Sequence, residues 1–157
     1  MLGTAVITVV SGGQSATAGA GFDSATGAGI ATDGTPFGFF AHGGDNDVQG
    51  RISTTVTSGG TVLGQIIARA TCLDVGSNTA TIGGEVVVSH AVGGGQIPGL
   101  EVGTGVVLFA EDNGPSVSGA TPDQLDFIAM SEPPTMCPPF QINVNQIARG
   151  RIVVHDG

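Results

Sequence analysis

Apolar and polar positions alternate along this chain with a period of two, and no stretch sustains the spacing of an amphipathic helix. Residues 50–57 show it most cleanly: Ile52, Thr54 and Val56 share one face, while Arg51, Ser53, Thr55 and Thr57 share the other. The longest such run, Thr61–Val75, places Ile66, Ala68, Ala70 and Cys72 on its inner face and Gln65, Arg69 and Thr71 outside. A tight turn at Gly76, Ser77 and Asn78 leads into residues 79–92, so these two long strands form a hairpin. Gly83 and Gly84 predict a bulge or bend in its second strand. Further strands are predicted at residues 4–10 (TAVITVV), 36–42 (PFGFFAH, behind an Asp33-Gly34 turn), 102–110, 124–130 and 150–155, with a weaker Gly-rich hairpin over 16–22 and 28–32. Residues 141–149 carry no decisive pattern. Four prolines (Pro133, Pro134, Pro138, Pro139) surround Cys137 and predict an extended connector across the domain, because proline has no N–H to give a ladder. About nine strands and no helix predict one all-β domain, an antiparallel sandwich or barrel.

Composition narrows the picture. The chain's 157 residues suit one domain with a real core. Only 11% of them are charged, and the polar surface must be Thr, Ser, Asn, Gln and backbone, which favours strands and turns over solvent-facing helices. Thirteen acidic residues face four arginines and no lysine, for a formal net charge of −9. Such a surface repels nucleic-acid phosphates and anionic membranes, and it either solubilises the domain or attracts divalent cations. No apolar run approaches the roughly 18 residues of a membrane span. Residues 5–10 lack the basic flank of a signal peptide, so the chain reads as a mature exported form whose leader has been removed.

Two cysteines, Cys72 and Cys137, fit either two buried thiols or one disulfide. No CxxC is present, and the three histidines are too scattered for a zinc site. An acidic, glycine-rich, lysine-free chain suits the extracellular space or a cell surface, where a disulfide forms. Closing so long a loop stabilises the fold by about 4 kcal/mol in the chain-entropy account.

Six blocks follow one another in order: Gly50-Arg51-Ile52, residues 70–75 (ATCLDV), 78–84 (NTATIGG), 111–114 (EDNG), 121–125 (TPDQL) and 152–156 (IVVHD). Together they resemble a family of secreted bacterial β-domains of uncharacterised function, common in high-GC actinobacteria. The resemblance runs over about residues 50–156. It implies an exported all-β domain and supplies no catalytic residue.

Candidate chemistry is sparse. Asp45 and Asp47, and Asp112 and Asn113 with Asp123 and Asp126 nearby in sequence, offer oxygens of the kind calcium would use; Asp and Asn are equally the ordinary turn formers. No other cofactor is implied. Ser89 and His90 fall on opposite faces of a strand, wrong for a hydrolytic triad, and His90 shares a face with Val86, Val88 and Val92. His155 lies near the end of the sequence, and His42 alone stands at a loop rim. With no Trp or Tyr, a glycan platform would rest on phenylalanine. Alternation puts Phe37 and Phe39 on one face and Phe40 on the other. The strand at residues 4–10, carrying Thr4, Val6, Ile7 and Val9, either completes its own sheet or adds to a neighbour's edge. The reading is a non-catalytic structural or adhesive module that builds a multimer or filament; the alternative is a calcium-dependent glycan-binding module.

Overall fold

The computed structural model describes residues 22–44, 47–115, 119–141 and 146–157. The expected strand at residues 4–10, with Thr4, Val6, Ile7 and Val9, lies outside the described residues, as does Asp45. Among the described residues there are eight strands and no helix: β1 (Asp23–Ala31), β2 (Pro36–Gly44), β3 (Asp47–Ser58), β4 (Thr61–Val75), β5 (Thr79–Ala91), β6 (Gly105–Glu111), β7 (Gln124–Met130) and β8 (Ile147–His155). They form one antiparallel sheet ordered β7-β6-β5-β4-β3-β2-β1-β8. Strands β1 to β7 meander, and β8 returns to the free side of β1. The sheet curls until its ends meet, where Gln124 bridges Gln146 just before β8. A single rolled sheet, rather than two stacked ones, resolves the sandwich-or-barrel alternative.

Side chains fill the interior. Phe37, Phe39, Ile52, Ile66, Ile82, Leu108 and Ile152 are buried there among Ala25, Ala41 and Ala68. Large residues sit against small ones: a Cβ on Gly27 would lie 2.6 Å from the Phe39 ring. Ile97 and Leu100, from the loop between β5 and β6, are buried in the same cluster.

Two bulges rewrite the expected faces. In β4, Ala70 pairs with Gly84 and Cys72 with Gly83, leaving Thr71 as the extra residue. Beyond it the parity flips, so Leu73 and Val75 pack on the core and Cys72 turns outward. The expected inner row thus holds for Ile66, Ala68 and Ala70 but not for Cys72. In β5, Val87 is the extra residue between Val86 and Val88. Ser89 therefore turns inward, where its Oγ accepts the Ile97 N–H at 2.9 Å, and His90 is exposed rather than sharing the face of Val86.

The connector lies where its prolines predicted, across the outer face of β4, β5 and β6. It is held by a Cys72–Cys137 disulfide with a Cα–Cα distance of 5.4 Å. The Thr71 hydroxyl donates to the Pro134 carbonyl, and Phe140 packs edge-on against Phe109 at 6.0 Å. Thr81, Val107 and Phe109 are buried on this outer face. Strand β6 (GVVLFAE) is therefore covered on both sides, which is why it reads as a continuous apolar run instead of an alternation. Gly83 is required by the same close approach: a Cβ there would stand 2.6 Å from Cys72 Sγ and collide with Pro134. The expected bulge at Gly83-Gly84 is instead on the partner strand, and β5 runs through without a break.

Candidate functional site

Two places gather polar side chains: the seam where the rolled sheet meets itself, and a cleft on the adjacent rim. At the seam, β8 pairs with β1 along one edge and needs partners for its other edge. Asp123, only 4% exposed, supplies them at one point: Oδ2 accepts the Ile152 N–H at 2.8 Å, and Oδ1 accepts the Asn113 N–H at 2.7 Å. One residue pair further along, Asp112 Oδ2 accepts the Val154 N–H at 3.1 Å while Oδ1 accepts the Gly114 N–H at 2.9 Å. The Asn113 amide donates to Pro122 O and Glu111 Oε1. Carboxylates thus stand in for a missing strand. Asp112 and Asn113, read from sequence as calcium ligands or turn formers, are engaged in this seam.

The rim collects strand ends. Asp23 opens β1, Asp47 opens β3, and Asp74 precedes the last residue of β4. All three line a cleft of about 730 Å³ whose other wall is the disulfide with Thr135 and Met136. Asp23 accepts the Gly157 N–H at 3.1 Å. Met136 stands 82% exposed beside the cleft. Three aspartates and no arginine line the cleft, so its lining carries net negative charge. Among the described residues, no group of three or more His, Cys, Asp or Glu side chains is placed to hold a metal ion.

His42 and His155 lie on strands flanking β1, each opposite Ser24 in register. Both are exposed, and no hydrogen bond joins either to Ser24 among the described residues. In a Ser-His triad the base polarises the nucleophile through a hydrogen bond, and this row lacks one among the described residues. Phe37 and Phe39 are buried as the alternation predicts, and Phe40 is 49% exposed on the outer face. Asp123 stands near the Asp112-Asn113 candidates in sequence, but its part in joining β8 to that loop has no local signal beyond its position directly before β7. The disulfide is compatible with an oxidising, extracellular compartment. No family model, curated protein or solved structure matches this chain.

Proposed function

We propose that this protein is a non-catalytic extracellular structural module that associates with copies of itself through its N-terminal strand, residues 4–10. The observation that carries the reading is the closed, side-chain-filled body. Its interior is packed, the loop residues Ile97 and Leu100 are sealed into it, and β6 is covered on both faces. Such a body offers partners only its surface. Ahead of β1, residues 4–10 are uncharged and dominated by β-branched side chains, the composition of a strand that adds to another sheet.

The test compares the full chain with one lacking residues 1–10, by size-exclusion with light scattering and by electron microscopy. The full chain is expected to give multimers or filaments and the truncated chain a soluble, folded monomer. A full chain that remains monomeric at high concentration would reject the proposal.

A further inference from the structure

We infer that the outer face of β3, β4 and β5 carries a binding site for an aliphatic monocarboxylate, its head between two arginines and its tail on valine and isoleucine. The site goes beyond the self-association proposed above and lies within a single copy. Ile52, Ala68 and Val86 turn inward on these strands, so Arg51, Arg69 and Glu85 turn outward. These three form one rung, with Arg51 directly opposite Arg69 and Arg69 directly opposite Glu85. On the next rung of the same face, Ile67 stands between Ser53 and Val88. Arg51, Arg69, Ile67, Val87 and Val88 line one open groove of about 390 Å³, floored by the backbone at Gly50 and Ala68.

The charges call for an anion. Like charges directly opposite each other destabilise a ladder, and only one of the two here is met. Arg69 is paired with Glu85. Arg51 is exposed and has no carboxylate partner among the described residues. The rung thus keeps one positive charge in excess, on a chain whose net charge is −9. A single carboxylate set between the two guanidiniums removes that excess and their repulsion, through charge-assisted hydrogen bonds.

The bulge in β5 supplies the apolar side. Because Val87 is the extra residue there, Val87 and Val88 are both exposed, at 40% and 42%, where strict alternation would turn one of them in. With Ile67 beside Val88 they make an apolar strip that adjoins the arginines. The strip is short. The next outward pair, Gln65 and His90, lies about 7 Å farther along the strands and is polar. A medium chain such as that of octanoate fits this length, and a long one would run onto the polar pair. Inorganic anions would leave the valines unused, and an alcohol or an amine would leave the arginines unmatched.

Octanoate is the probe, titrated into the full chain with calorimetry for affinity and amide chemical shifts for location. Saturable shifts are expected at Arg51, Ile67, Arg69 and Val88. Octanol, octylamine and acetate should each bind about ten-fold more weakly or worse. Arg51→Gln should weaken octanoate by about ten-fold. Val88→Thr should weaken it by about three-fold and leave acetate unchanged. Glu85→Gln, which releases Arg69 from its partner, should tighten binding by about three-fold. None of these side chains belongs to the packed core, and circular dichroism checks that each variant is folded. Octanol binding as tightly as octanoate, shifts confined to another face, unchanged affinity in Arg51→Gln, or no binding at all would overturn the site. An Arg51→Gln variant that binds octanoate normally but assembles only at higher concentration would make the groove a contact between copies, and would overturn it too. Each copy carries the whole site, so this titration and the assembly test succeed or fail separately.

Discussion

Replacing Asp123 by alanine should open the seam. The carboxylate is nearly buried and accepts two backbone N–H groups, from Ile152 at 2.8 Å and Asn113 at 2.7 Å. Each hydrogen bond to a charged acceptor contributes about 1.5–3 kcal/mol, and a buried donor left without a partner costs a similar amount. Ile152 is fully buried, so its N–H has no route to water; Asn113 is half-buried, and solvent recovers part of its loss. The sum is about 3–5 kcal/mol, a large share of the roughly 5–15 kcal/mol that holds a domain together. For a chain of this size that corresponds to a fall in Tm of about 10–15 °C. Urea denaturation followed by circular dichroism, with the disulfide intact, gives the free energy. Hydrogen exchange at the Ile152 and Val154 amides shows whether the loss is at the seam. Asp123→Asn keeps the shape but turns one acceptor into a donor facing an N–H, so it should cost nearly as much. A change of less than about 0.5 kcal/mol in Asp123→Ala, the range of ordinary surface substitutions, would refute the account of the seam.

Other substitutions test other parts of the fold. Gly83→Ala forces a Cβ into Pro134 and Cys72 Sγ and should destabilise by about 1–3 kcal/mol in urea, with much of that cost absent in a Cys72→Ala, Cys137→Ala background. That double cysteine variant alone should lose about 4 kcal/mol relative to the oxidised protein, measured by denaturation with and without reductant. Phe39→Ala should cost about 3–5 kcal/mol, whereas Phe40→Ala, one position along on the outer face, should change stability by less than about 1 kcal/mol. Equal effects from the two would contradict the assigned parity of β2.

Much of the fold was legible because strand periodicity is local. Residues 124–130 were delimited as they stand in β7, and β2 and β3 kept their predicted faces through Phe37, Phe39 and Ile52. The bulges were not legible. Thr71 and Val87 carry no glycine or proline to mark them, and each is defined only by the strand opposite. One unpaired residue was enough to turn Cys72 out of the core and His90 into solvent. The glycine pair at Gly83-Gly84 was visible, but its cause, the strap and disulfide pressed against it, arrives from more than 50 positions away. Asp112 and Asn113 were recognisable as loop oxygens; that Asp112 caps an amide of β8 depends on how the whole sheet rolls.

The pairing of β1 with β8 also sets how the domain would bear load. Ser24 lies opposite His155, so the outer ends of both strands emerge at the same rim. Tension drawn between them would peel the ladder apart rung by rung, rather than straining all its hydrogen bonds together. Unravelling would then halt at the covalent link between Cys72 and Cys137, within which β5, β6 and β7 are enclosed. A tether built from such units would yield softly and then stop at a fixed length, with the enclosed part shielded from the tension.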